Sequence, residues 1–287
     1  LGIKTVAVFS LPDREARHVR YADEAVCIGP AAPPASYLNM QAIISAAKIT
    51  GSEAIHPGYG FLSENADFSR ECSKNGIAFV GPPPEVLSLL GDKRLACVTM
   101  TRVGLPVLPG AEFSVETKPQ RVEAAERIGF PLIIKSCHGG GGRGLRVVDG
   151  MSGLEKAWLM SSREAKTSTG SGRLYLEKFI VRARHIEFQL LVDDSGEVLQ
   201  LGDRECSIQH RHQKLIEESP SIAIGRLVRE TLSQRVRSAA ETIGYRGAGT
   251  FEFIFDRRNR FYFLEVNPRL QVEHPVSEMV TGIDIVK

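Results

Sequence analysis

Thr250-Phe-Glu-Phe-Ile-Phe-Asp-Arg-Arg-Asn-Arg-Phe-Tyr-Phe-Leu-Glu-Val-Asn267 reads as two apolar strands, 250–255 and 261–266, joined by a polar turn at 256–260. A turn centred between 258 and 259 sets Glu252 directly opposite Glu265, with Cβ atoms ~5 Å apart. Like charges facing each other are destabilising unless something compensates, and a divalent cation would do so. Asn267 lies two residues on, on the same face as Glu265. Glu, Glu and Asn are hard oxygen donors, suited to magnesium bound together with substrate phosphates. The competing reading is a solvated polar face in a different register.

The alternation continues beyond the hairpin. Glu265, Asn267, Arg269, Gln271 and Glu273 share one parity, while Val266, Pro268, Leu270 and Val272 take the other. An extended segment would place the polar groups along one face at ~6.6–6.8 Å intervals. Pro268 ends sheet pairing, so the later part reads as a loop. A carboxylate pair followed by a cation, an amide and another carboxylate suits an anionic substrate, with Glu273 as candidate base. An ordinary amphipathic edge fits the alternation equally well.

Upstream, strand 132–135 ends on Lys135 and runs into Gly139, Gly140, Gly141, Gly142 and Gly144. The run contains a literal GxGxxG, but strand 145–148 follows it instead of the helix that a dinucleotide fold requires. It also lacks the ending of a Walker loop. It reads as a strand–loop–strand flap whose bare N–H groups close over phosphates, with Lys135 adding positive charge. The alternative is a long hairpin turn.

Residues 1–85 alternate strand and helix signals. Strands at 5–9, 25–28, 53–55 and 77–80 enclose helices at 37–50 and 63–75, the second capped by Ser63. Strands separated by helices imply a parallel sheet with crossover helices. A helix is expected over 85–103. Helices at 118–128, 153–165 and 227–243 then mix with adjacent strands at 174–180, 185–192 and 198–202, an α+β pattern. The fold class expected is therefore α/β plus α+β, with domains at 1–85 and 86–287 and a flap subdomain at about 108–180.

The 287 residues carry 36 Lys plus Arg against 34 Asp plus Glu, a net charge of +2, which argues against a dedicated duplex-DNA binder while leaving room for a local basic site. Hydrophobic residues make up 43%, enough for a sizeable core and against disorder. No apolar run approaches membrane-spanning length. Five scattered cysteines without a CxxC pair point away from disulfides or zinc and toward a reducing compartment. The chain opens on Leu1 instead of Met and stops at Lys287 in what reads as a helix, so both ends are expected to be cut.

His56-Pro-Gly-Tyr-Gly-Phe-Leu-Ser-Glu-Asn65, Gly91-Asp-Lys93, Lys135 with the glycine run, Glu205-Cys-Ser-Ile-Gln209 through Lys214, and Glu265 through His274 together resemble biotin carboxylase. That is the ATP-grasp component of biotin-dependent carboxylases such as acetyl-CoA carboxylase. The resemblance runs through the whole chain in order. It implies a preATP-grasp domain followed by an ATP-grasp domain, and ATP- and magnesium- or manganese-dependent carboxylation of biotin by bicarbonate through carboxyphosphate. Lys93, Lys135 and the glycine loop would contact phosphates, and Glu177 and Lys178 would line the adenine pocket. His185, Gln209 and His212 would lie around the nucleotide. Glu252 and Glu265 would bind the metal, with Asn267 nearby. Lys214, Arg269, Gln271 and the Val272 backbone would hold bicarbonate, with Glu273 as base.

The resemblance also implies a biotin carboxyl carrier protein or domain, a carboxyltransferase component, a homodimer in the full-length protein, no nucleic acid and no membrane. It implies a cytoplasmic enzyme (or an organelle matrix or stroma) serving fatty acid biosynthesis or a related acyl-CoA or pyruvate carboxylase. Family members begin with a further strand and continue past 287 with a domain that supplies dimer contacts and an arginine for the biotin enolate. Departures are small: Glu205 stands where aspartate is commoner, His210 where arginine is commoner, and His138 at a variable position. Two other readings stay open. One is a carbamoyl-phosphate-synthetase-like ATP-grasp ligase; the other is a non-catalytic nucleotide-binding fragment.

Overall fold

The computed structural model describes residues 1–110, 113, 115–137, 145–210 and 213–287, without the side chains of 168 and 169. His138, the glycine run at 139–142 and 144, and His212 lie outside the described residues.

The N-terminal part runs β1 (Val6–Ser10), α1 (Arg17–Tyr21), β2 (Glu24–Gly29), α2 (Met40–Ile49), β3 (Ala54–Ile55), α3 (Ala66–Lys74) and β4 (Ala78–Phe79). β1 pairs with β2 and β3 with β4, both parallel as the alternation of strand and helix predicts, but as two separate two-stranded sheets instead of the single sheet expected. Ile28, Ile43, Ile44, Phe68 and Cys72 form their shared core. Helix 63–75 begins later than expected. Asn65, not Ser63, is its cap, its side chain accepting from the Phe68 N–H at 2.8 Å. Ser63 is buried, its Oγ unpartnered among the described residues.

The helix expected over 85–103 is two helices, α4 (Pro84–Gly91) and α5 (Lys93–Arg102). Asp92 breaks it: in extended conformation, its carboxylate accepts from Arg94 and Leu95 N–H and starts a fresh helix. Helix α6 (Lys118–Ile128) has the expected bounds, set by a capping box of Thr117 and Gln120. Then come β5 (Leu132–Ser136), β6 (Arg146–Val148), α7 (Met151–Thr169) and β7 (Leu174–Lys178), with the strands in antiparallel order β6-β5-β7. Trp158, Leu132, Leu176 and Ala125 pack into a separate core behind this small sheet.

The remainder is β8 (Arg184–Val192), β9 (Val198–His210), β10 (Gln213–Glu218), α8 (Arg226–Thr242), β11 (Gly247–Phe255), β12 (Phe261–Asn267) and α9 (His274–Thr281). They build an antiparallel sheet of order β10-β9-β8-β11-β12. Strand β9 runs well past the 198–202 that the sequence suggests, and β10 was not expected. Their charged residues hide the apolar alternation that normally marks a strand. Chain end 282–287 is not helical: α9 stops at Thr281, and Gly282 takes a left-handed φ of 73°.

The large sheet has two chemically opposite faces. Ile186, Phe188 and Leu190 of β8 and Phe251, Phe253 and Phe255 of β11 point to one side, against Leu232, Val236 and Ala239 of α8 and Met100 of α5. The other side carries His185, Glu187, Gln189, Arg204, Thr250 and Glu252. The sequence register is met where it matters: Glu252 pairs with Glu265. Nearer the turn it differs, because Phe253 pairs with Phe263 and Leu264 is the extra residue of a β-bulge. The bulge reverses the alternation of β12. Phe263 and Val266 both reach the apolar core, and Glu265 is turned away from it.

Replacing Asn65 by Ala should cost about 0.5–2 kcal/mol of stability in urea unfolding, as loss of a helix cap does. Ser63→Ala should be close to neutral; the reverse order would return the cap to Ser63.

Candidate active site

The polar face of the large sheet and the inner face of the small sheet border a cleft of about 970 Å³. That is the size of a cofactor site. Its walls include Lys135, Glu177, Lys178, His185, Gln209, Lys214, Glu252, Glu265, Asn267, Arg269, Gln271, Val272 and Glu273. Every one of these was singled out from the sequence. Beside these charged and polar groups the wall includes Ile133, Leu145, Phe179, Ile180, Ile254 and Leu264, apolar surface suited to a planar ring.

Three glutamates stand abreast on neighbouring strands, since Glu187 pairs with Glu252 and Glu252 with Glu265. Cations make this row stable. The Lys214 ammonium sits among three carboxylates, 2.8 Å from Glu252 Oε1, 2.6 Å from Glu273 Oε1, and in contact with Glu187. His185 Nε2 lies 3.0 Å from Glu252 Oε2. Lys93 Nζ donates to Glu265 at 2.9 Å. Lys93 is there because Asp92 restarts the helix, which makes it the first residue of α5, packed against β12. Across the cleft, Lys135 is ion-paired with Glu177 on the adjacent strand β7, both nearly buried.

Burial pulls the Lys214 and Lys93 ammonium groups toward neutrality. The carboxylates around them prevail and raise both above the ordinary lysine range. Burial likewise opposes the charge on Glu252, but His185 and Lys214 hold its carboxyl well below the usual carboxylate range. These groups are therefore charged near neutral pH, and the cleft carries alternating fixed charges.

Asn267 Nδ2 donates to Glu252 Oε1 at 2.7 Å. Gln271 Nε2 reaches the same oxygen at 3.1 Å. Arg269 donates to Asn267 Oδ1 at 3.3 Å and to Glu64 at 2.6 Å, tying the site to the N-terminal part. Gln209 bridges His185 Nδ1, at 3.2 Å, and the Cys206 carbonyl. The Lys178 ammonium donates to the Gly129 and Phe130 carbonyls in the connection between α6 and β5. Val272 is exposed at the rim. Glu205 faces Arg184, Ser207 and Ser221 and serves the framework of β9 instead of the cleft.

Glu252, Glu265 and Asn267 form a hard-oxygen donor set that fits a magnesium-like ion. The donor atoms of His185, Glu187 and Glu252 also converge within 4.8 Å. Sequence reading missed Glu187 and Arg204. The signal for the first was present in His185-Ile-Glu-Phe-Gln189, where polar residues alternate with apolar ones along a strand. Arg204 had no comparable signal, because a lone arginine in a charged stretch looks like a surface residue.

The His185–Glu252 pair has a definite pH signature. Burial lowers the His185 imidazole but the Glu252 charge outweighs it, so the folded value lies above the ordinary 6.5. Its contribution to stability is complete below 6.5 and fades as pH rises through the folded value. The Glu252 contribution is complete above the ordinary 4.5 and fades as pH falls through its depressed value. In metal-free protein, NMR titration of His185 should show the raised value, and Glu252→Gln should lower it. An unchanged titration would separate the two groups.

A family described as "Biotin carboxylase, N-terminal domain" matches residues 1–87, and one described as "Carbamoyl-phosphate synthase L chain, ATP binding domain" matches residues 92–287. The biotin carboxylase of Nostoc sp. is 53% identical over 99% of this chain, which spans 64% of that relative's length. The solved biotin carboxylase of Campylobacter jejuni, crystallised as a beta-gamma-ATP complex, superposes with a TM-score of 0.96 at 49% identity. It covers 99% of this chain and 64% of its own. The biotin carboxylase domain of Hydrogenobacter thermophilus 2-oxoglutarate carboxylase, solved as a dimer with MgADP and bicarbonate, gives 0.96 at 46%, over 99% of this chain and 63% of its own. The family matches take in residues 1–87 and 92–287, the relatives agree over nearly the whole chain, and the chain belongs to the biotin carboxylase family.

Proposed function

We propose that this protein carboxylates biotin, using ATP and bicarbonate, as the first half-reaction of a biotin-dependent carboxylase. The observation that carries the reading is the Lys214 ammonium held between Glu252 and Glu273, at 2.8 and 2.6 Å, in the cleft. It fixes an anion-binding cation and a candidate base side by side, which is what deprotonating bicarbonate requires.

In this reading the adenine ring lies on the apolar surface, beside Glu177 and Lys178. Lys93 and Lys135 exchange Glu265 and Glu177 for phosphate oxygens, assisted by Gly139, Gly140, Gly141, Gly142 and Gly144. His185, Gln209 and His212 flank the nucleotide. Glu252, Glu265 and Asn267 hold a magnesium or manganese ion, which when bound neutralises charge on the triphosphate. Lys214, Arg269, Gln271 and the Val272 main chain orient bicarbonate, and Glu273 takes its proton. The bicarbonate oxygen attacks the γ-phosphorus while the bond to the bridging oxygen breaks, giving ADP and carboxyphosphate. Carboxyphosphate releases carbon dioxide. The freed phosphate removes the ureido N–H proton of carrier-bound biotin, whose nitrogen attacks the carbon dioxide. Stabilisation of phosphoryl transfer is electrostatic throughout, as charge-lined sites of this kind allow.

The proposal extends to residues 1–85 as the N-terminal domain and 86–287 as the ATP-grasp domain, with the flap at about 108–180. It extends to a carrier protein or domain and a carboxyltransferase as partners, and to a homodimer. It also includes a cytoplasmic or organelle-lumen setting and acetyl-CoA carboxylase in fatty acid biosynthesis among the enzymes served. Among the described residues no helix is long and apolar enough to cross a membrane. A second reading, a carbamoyl-phosphate-synthetase-like ligase, is favoured by the family that matches 92–287. A third reading is a nucleotide-binding fragment without turnover.

A chain extended to its relatives' length should hydrolyse ATP in a bicarbonate-dependent manner, and free biotin should stimulate it. Activity on ammonia instead would support the second reading, and ATP binding without hydrolysis the third. Glu273→Ala should lower turnover about 10²–10⁴-fold while ATP binding persists; loss of both would remove Glu273 from the role of base.

A further inference from the structure

Resting on the function just proposed, we infer that Arg204 is a positioning residue that sets the bicarbonate end of the site. Its side chain is fully buried and is not part of the cleft wall. It stands on β9 directly opposite Glu187 of β8. Its Nε donates to Glu187 Oε1 at 2.6 Å, and its Nη2 to Gln271 Oε1 at 3.0 Å. These two contacts close a ring of side chains. Glu187 Oε2 accepts from Lys214, Lys214 donates to Glu252 Oε1, and Gln271 Nε2 donates to that same Glu252 oxygen.

Chemistry gives the ring a direction. A guanidinium has donors only, so the Gln271 atom facing it must be the carbonyl oxygen. The Gln271 NH₂ is thereby turned toward Glu252 and the cleft. The ionised Glu252 carboxylate, which only accepts, selects the same orientation from the other side, so Arg204 and Glu252 lock the amide between them. Glu187 is fixed in the same way: one oxygen is taken by Arg204, which leaves the other for Lys214. The guanidinium itself cannot swing, because Gln189 and Ser277 at 2.8 Å and Thr250 at 3.3 Å accept its remaining donors. Arg204 bears directly on Glu187 and Gln271 and through Glu187 on Lys214, whereas His185, placed beside the nucleotide, meets the ring only at Glu252, 3.0 Å away.

The test uses the chain extended to its relatives' length and the variant Arg204→Lys, which keeps the charge and loses the fork. The KM for bicarbonate should rise and kcat fall, each by roughly tenfold or more, while the ATP dissociation constant stays within about threefold. A merely structural role predicts that ATP and bicarbonate parameters shift together; that result, or none at all, overturns the inference. Should Arg204→Lys fail to fold, the double variant Thr250→Val, Ser277→Ala loosens the fork without altering any ring member. It should raise the bicarbonate KM about threefold with ATP binding unchanged, and an unchanged KM overturns the inference. If the unsubstituted protein cleaves ATP without any bicarbonate dependence, the proposed function falls and this inference falls with it.

Discussion

Arg204 brings five N–H donors into the interior, and each finds an acceptor: Glu187, Gln189, Ser277, Thr250 and Gln271. Those acceptors belong to β8, β11, α9 and the segment between β12 and α9. One residue thus fastens strands, helix and connecting loop to a common point. A buried guanidinium is tolerated only when every donor is paired and its charge is met. Removing such a partner typically costs about 3–5 kcal/mol, because it strands the opposite charge in a dry interior. The polar face of the sheet is consequently all-or-none: it is stable when strands, loop and α9 are all assembled, and costly in any partial state.

The opposite face of the same strands follows simpler rules. Phenylalanines of β8, β11 and β12 pack on one another, Phe188 and Phe253 edge to face at 5.8 Å and Phe255 and Phe261 stacked at 5.9 Å, against the apolar stripe of α8. This core holds the strands rigid without any directional bonding, which lets the polar face be specified by geometry alone. The bulge at Leu264 is the joint between the two sets of requirements. It keeps Phe263 in the core while Glu265 enters the cleft.

Much of this was legible in the sequence, for reasons that can be named. Strand-like runs at 185–192, 250–255 and 261–266 announced β8, β11 and β12, and the facing of Glu252 with Glu265 followed from a turn position off by half a residue. The bulge absorbed that error. Capping chemistry gave α6 its bounds through Thr117 and Gln120. What escaped depended on partners far away in the chain. Arg204 meets Ser277 across 73 positions and Gln271 across 67, and no local pattern encodes such pairing. Strand β10 escaped because its residues are charged or exposed. The break at Asp92 escaped because a single residue can be read as helix interior or as cap, and only packing decides between them. The contributions expected of Gly139, Gly140, Gly141, Gly142, Gly144 and His212 lie outside the described residues.

Three lysines at the site are already bound to protein carboxylates, Lys93 to Glu265, Lys135 to Glu177, and Lys214 to Glu187, Glu252 and Glu273, while Lys178 is held by main-chain carbonyls. The cavity therefore behaves as an ion exchanger rather than a magnet. A polyanion entering alone would have to expel carboxylates from their lysines and leave them uncompensated. A polyanion arriving together with a dication trades partners on both sides at once, lysine for phosphate and carboxylate for metal, with the sum of charge little changed. Selection for the paired species over the bare one is then inherent in the cleft's own neutrality.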